Sequence, residues 1–187
     1  MIEIVSYRTA WRSEFEARRG ELEAVLAGLA LRVDHIGSTA VPGLAAKDVI
    51  DVQVTVASLD ASLACLLETA GFRPVRAVAD HVPPGQTDRP EEWAKLLYVE
   101  RPGERRTNIH VRVTGRANQR YALLMRDHLR ARPAIAEAYA ELKRRLAVSL
   151  ADPSDYPEVK DPAVDLIYLA AEEWATATGW RVPLDRD

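Results

Sequence analysis

Two stretches of strict alternation constrain this chain more than anything else in it. In DVIDVQVTV (48–56), Ile50, Val52, Val54 and Val56 fall on one side of an extended chain, and Asp51, Gln53 and Thr55 on the other. In TNIHVRV (107–113), Ile109, Val111 and Val113 oppose Asn108, His110 and Arg112. A period of two predicts strands with one face in a core. If the aliphatic faces share that core, then Asp51, Gln53, His110 and Arg112 share the opposite surface.

The remaining pattern supplies partners for these strands. Trp11, Phe15, Leu22, Val25, Leu26 and Leu29 form one helical stripe over 11–29, and LRVDHIG (31–37) reads as a strand ending at Gly37. SLDASLACLLETAG (58–71) predicts a helix with Ser58 as N-cap and Gly71 as its stop, and FRPVRAV (72–78) a short strand. The polar, Pro-rich DHVPPGQTDRPEEW (80–93) reads as a long mobile loop, and KLLYVE (95–100) as the hairpin partner of 107–113 across RPGERR. From Asn118 onward the pattern is helical. Pro133 opens a second helix, and a last one runs from near Pro162 to Gly179. With no repeat and no linker, residues 1–187 are expected to form one domain. The class is α+β: an α/β-type small mixed sheet flanked by helices, with a helical C-terminal third.

Composition narrows the function classes. The formal net charge of -3 gives no global basic field, which argues against nucleic acid as a partner. Arginine and lysine still cluster in RPGERR (101–106), RDHLRAR (126–132) and KRR (143–145), so a local anion site is compatible with an acidic total. RDHLRAR itself reads as a solvated helical face. The one cysteine, Cys65, excludes an internal disulfide and reads as a small core residue. MIEIVSYRTAW lacks the pattern of a signal peptide, and no stretch approaches the ~18 apolar residues of a membrane span. The expectation is a cytoplasmic protein with no membrane partner. His35, His81, His110 and His128 show no paired ligand spacing for zinc, and no Gly-x-Ser-x-Gly, P-loop or dinucleotide motif is present.

Chemistry is expected around HIGSTAVPGLAAKDVIDVQV (35–54). Backbone N–H groups of a turn at Gly37, Ser38 and Thr39 can hold phosphate, and a glycine permits close approach. Asp51 across from it can hold Mg²⁺, which favours a few carboxylates plus substrate phosphates. His110 is the candidate base or second ligand, and Lys47, Arg112, Arg126 and Lys160 are candidate anion contacts.

These residues also carry a family likeness. The chain resembles the GrpB family through the Tyr7–Trp11–Phe15 spacing and HIGSTAVPGLAAKDVIDVQV. The likeness continues in TNIHV (107–111), MRDHLRARP (125–133), AYAELKRRLA (138–147) and the Tyr156–Lys160 pair. The resemblance implies a nucleotidyltransferase-like fold with added C-terminal helices, and no settled reaction. The superfamily pattern is a Gly-Ser turn followed by two acids at i, i+2 on one strand and a third from a neighbouring strand. Gly37, Ser38 and Asp51 match it. Gln53 stands at the second acid and His110 near the third, which halves the charge available to metal ions. Three functions follow as expectations. The first is a nucleotide- or phosphate-binding protein with single-metal (Asp51, Gln53) nucleotidyl transfer. The second is a non-catalytic folding-accessory or protein-interaction module, as implied by a similar module fused to dephospho-CoA kinase in some bacteria. The third is a metal-independent hydrolase or small-molecule-modifying enzyme using His110 and Asp51.

Overall fold

A computed structural model describes residues 2–75 and 79–183. Helix α1 (Ala10–Leu26) leads into β1 (Ala30–Ile36), a 3-10 turn (Ser38–Ala40), β2 (Ile50–Val56), α2 (Ala61–Thr69) and β3 (Arg73–Val75). The short α3 (Pro90–Trp93), β4 (Leu96–Val99) and β5 (Thr107–Val113) follow. The chain then turns helical through α4 (Ala117–Ala131), α5 (Pro133–Ser149) and α6 (Tyr156–Thr178). The fold is the expected mixed α+β arrangement.

The five strands are ordered β1-β2-β5-β4-β3. β2 and β5 run parallel at the centre, and the other neighbours are antiparallel, including the expected β4–β5 hairpin. The parallel register sets Asp51 beside Asn108 and Gln53 beside His110. Because side chains alternate, this one register fixes both faces. Ile50, Val52, Val54, Val56, Ile109 and Val111 pack under α1 and α2, against Trp11, Phe15, Leu22, Leu26, Leu63 and Leu67. Full burial of each such side chain contributes roughly 1.5–3 kcal/mol. The polar face is left to the C-terminal helices.

Several local expectations need correction. α1 ends at Leu26, because Ala27 adopts φ 46 and Gly28 φ 91; Leu29 is therefore off the helix. The α2 cap is Asp60, not Ser58: its carboxylate accepts from the Ser62 and Leu63 backbone N–H groups. Gly71 stops that helix as expected, at φ 89. Cys65 is exposed on α2 rather than in the core. Part of the strand expected over 72–78 is seen at Arg73–Val75, and 76–78 lie outside the described residues.

The stretch 80–93 is tied down at its ends. Trp93 is buried with its indole N–H on Thr87 O at 2.7 Å, and the Asp80 N–H donates to Trp93 O. Helix α6 starts at Tyr156, a turn and a half before Pro162, which sits exposed inside it. Pro157, in the first turn, is the proline that marks the start. RDHLRAR is no solvated face: Arg126, His128 and Leu129 are buried on α4. Among the described residues, no helix is long and apolar enough to cross a membrane.

Candidate functional site

The turn after β1 and the start of β2 meet at one contact. Gly37 has φ 69, and a Cβ placed there would collide with the Asp51 carboxylate. A glycine is required twice over, for the left-handed backbone and for the close approach. Ser38 opens the 3-10 turn beside it, while Thr39 is buried, with its hydroxyl 2.9 Å from His35 Nε2 and donating to Val49 O.

Asp51 stands at the floor between two cavities. The first, about 240 Å³, is lined by Ser38, Lys47, Asn108, Tyr139, Lys143, Tyr156 and Lys160 as well as Asp51. The second, about 300 Å³, lies on the other side and includes Asp80, His81, His110, Arg112, Tyr121, Arg126 and Asp161. Ser38, Asp51, Tyr139 and Lys160 belong to both, so the two form one divided cleft. Asp51 Oδ1 accepts from Asn108 Nδ2 at 2.8 Å and lies 3.9 Å from His110 Nε2. Burial alone would raise the Asp51 pKa; His110 and the Asn108 amide outweigh it and hold the carboxyl below its usual value.

His110 is oriented from behind. Its Nδ1 lies 3.4 Å from Arg112 Nη2 and 3.5 Å from Lys95 Nζ, both of which can only donate. Nδ1 is therefore the acceptor and Nε2 carries the proton toward Asp51. Burial, then the charge of Arg112, holds His110 below its ordinary pKa, with Asp51 pulling the other way. A neutral His110 in this tautomer offers the cleft an N–H donor, not the lone pair that a base or a metal ligand needs.

Gln53 and the arginines serve the protein itself. Gln53 is fully buried, its oxygen accepting from Arg112 Nη1 at 2.7 Å and its amide donating to Gln119 O at 3.2 Å. The oxygen expected to serve a metal is thus taken by a guanidinium. Arg112 also makes a two-pronged bond to Asp80 at 2.9 Å on each arm. Lys95 and Asn118 donate to the same carboxylate. Burial opposes ionisation of Asp80, and Arg112 with Lys95 overcomes it, holding the carboxyl far below its usual range. Arg126 is buried too, donating to His35 O at 3.1 Å and Asp127 at 2.7 Å. Arg112 and Arg126 line the cleft, with Arg112 Nε, Nη1 and Nη2 engaged by Asp80 and Gln53, and Arg126 Nε and Nη1 by Asp127 and the His35 carbonyl.

Lys47 and Lys160 do reach the cleft, from the loop before β2 and from the first turns of α6. With them is a lysine that sequence reasoning passed over as part of a basic cluster. Lys143, on α5, is 3% exposed and donates to Ser38 Oγ at 2.9 Å and to Ala45 O. Burial, then Lys160 and Arg144, pushes its pKa down to about 7. The signal was there: Ala136, Tyr139, Ala140 and Lys143 share one helical stripe, so a lysine ends an otherwise buried face. Asp80, assigned to a loop, had no such signal.

No group of three or more His, Cys, Asp or Glu side chains is placed to hold a metal among the described residues. One carboxylate hemmed by lysines does not fit a resident Mg²⁺ site, and fits a Mg²⁺ only if substrate phosphates supply further oxygens.

Comparison with known proteins agrees with this architecture. The chain is 35% identical over 200 residues to a dephospho-CoA kinase of Mycobacterium leprae, covering 96% of this chain and 48% of that one. It therefore spans about half the length of the curated relatives it matches first. The crystal structure of GrpB from Enterococcus faecalis superposes with a TM-score of 0.71 at 28% identity, covering 92% of this chain and 99% of that one. Cid1 in complex with its short product ApU superposes with a TM-score of 0.52 at 14% identity, over 76% of this chain and 43% of that one. At that identity the likeness concerns the fold alone, and the fold is nucleotidyltransferase-like. The family model described as GrpB protein matches residues 1–169, and the chain belongs to the GrpB family.

Proposed function

We propose that this protein binds a nucleotide or another phosphorylated small molecule in the divided cleft, with transferase chemistry limited to a single metal. One observation carries the reading: Ser38, Lys47, Lys160 and Asp51 line one cavity at the Gly-Ser turn of a nucleotidyltransferase-like sheet. In this reading Gly37 and Ser38 approach phosphate, Lys47 and Lys160 neutralise it, and Asp51 would be the carboxylate to hold a Mg²⁺ that accompanies the phosphate. Such an ion would offset charge on the transferred group. His110 donates Nε2–H to the ligand or to Asp51 and holds neither metal nor abstracted proton. With Gln53 bonded to Arg112, no second acid is available beside Asp51, so two-metal transfer has no support.

The test is a thermal-shift panel of nucleoside mono-, di- and triphosphates with and without Mg²⁺. Stabilisation by at least one nucleotide is expected, and Asp51→Ala should abolish the Mg²⁺-dependent part. An unchanged melting temperature across the panel would defeat the reading. The second reading, an accessory or protein-interaction module without turnover, draws on the match to half the length of longer kinases. It predicts no pyrophosphate or phosphate release from any substrate, and a defined partner captured from cell extract whose binding survives Asp51→Ala.

A further inference from the structure

The smaller cavity has an unusual charge balance. Lys47, Lys143 and Lys160 reach it from three separate segments: the loop before β2, α5 and α6. Among the described residues neither Lys47 nor Lys143 is ion-paired with a carboxylate. Lys143 rests on neutral oxygens of Ser38 and Ala45, and Lys47 lies 3.8 Å from the centre of the Tyr156 ring. Among the described residues the carboxylate paired with Lys160 is that of Asp161, at 3.9 Å.

The three ammonium groups oppose one another. After burial, Lys160 is the main charge depressing the pKa of both Lys47 and Lys143, and Asp51 is the carboxylate that opposes it at each. Tyr156 lines the same cavity, its ring beneath the Lys47 ammonium. Ser38 adds a donor: its oxygen accepts from Lys143, which leaves its own O–H to give.

We propose that this cavity is a phosphate subsite that works without a metal. Lys47, Lys143 and Lys160 neutralise a phosphate or pyrophosphate group, and the Ser38 hydroxyl donates to it. Three lysines thus take the neutralising role that a second acid and its metal would have had. The proposal rests on the reading that the cleft takes a phosphorylated ligand, and names how its charge is met. Size agrees with this division. The cavity of about 240 Å³ falls below the ~300–1,000 Å³ of sites that enclose whole drug-sized ligands. It suits the phosphate end, with the rest of the ligand extending past Asp51 into the larger compartment.

The experiment is calorimetric titration of inorganic pyrophosphate into the full chain in EDTA, repeated with Mg²⁺. Binding in EDTA is expected, at least tenfold weaker in Lys143→Met and several-fold weaker in Ser38→Ala. If Lys143→Met does not fold, Lys160→Gln on the more exposed side of the cavity should show the same direction of loss. Absence of binding in EDTA, or equal binding by folded variants, overturns the subsite. Nucleotide binding with Mg²⁺ but no pyrophosphate binding in EDTA would leave the general reading standing and sink this one. Pyrophosphate binding without any nucleotide binding would do the reverse.

Discussion

The two halves of the cleft handle charge in opposite ways. On the His110 side the buried charges around Asp80 are answered from within: Asp80 accepts from Arg112, Lys95 and Asn118, and Arg112 also holds Gln53. On the Lys143 side Lys143 and Lys47 rest on a hydroxyl, a carbonyl and aromatic rings. Burying paired charges with their hydrogen bonds made is tolerable, whereas burying like charges together is costly. The first half therefore holds its charges in balance. The second carries a standing cost, which a ligand of opposite sign would reduce.

The largest effect should come from breaking the balanced half. Asp80→Ala leaves Arg112 and Lys95 buried without their carboxylate and should cost about 3 kcal/mol, read from urea unfolding. Its pH behaviour has a definite sign. The folded pKa of Asp80 lies below the ordinary 3.8, so its stabilisation is complete above that value and fades as pH falls beneath it. Wild type and Asp80→Ala should differ most near neutrality and converge in acid. A constant difference down to low pH would show that the loss is packing, not charge.

A smaller and opposite effect is expected from the unbalanced half. Lys143→Met should raise the stability of the ligand-free protein by about 1 kcal/mol while removing pyrophosphate binding. Lys143 has a folded pKa near 7 against 10.5 in an open chain, so between those values the unfolded state holds the extra proton. Stability should then rise with pH across that window in wild type, and the Lys143 contribution to the slope should vanish in Lys143→Met. Destabilisation by this variant at neutral pH would place Lys143 with the structural charges. Smallest of all, Lys160→Gln should change stability by less than ~0.5 kcal/mol. It should nevertheless raise the titration midpoint of Lys143, measurable by lysine side-chain NMR, because one opposing cation is gone.

The parts of this molecule that could be read in advance are those written as periodicity. Alternation located β2 and β5 and named the residues of their polar face, and Gly37 marked the turn that Asp51 approaches. What could not be read depends on partners distant in sequence. Asp80 matters through Arg112 and Lys95, from two different strands or their edges, and nothing around position 80 announces it. Gln53 could be recognised as the wrong residue for a metal pair, but not as the partner of Arg112. The polarity of Arg126 and His128 predicts exposure, yet helix α4 buries both, Arg126 against the His35 carbonyl and His128 edge-on to the Trp174 ring of α6. Pro162 was taken for a helix start because a proline inside a helix is costly, and its exposed position lowers that cost by letting water reach the freed carbonyl.

The smaller cavity also has a place in time. Its floor is the sheet, complete once Val113 has been made, but Tyr139 and Lys143 arrive with α5, and Tyr156 and Lys160 only with α6. A polypeptide stopped before Tyr156 would lack Tyr156, Pro157 and Lys160, and with them one wall of this cavity.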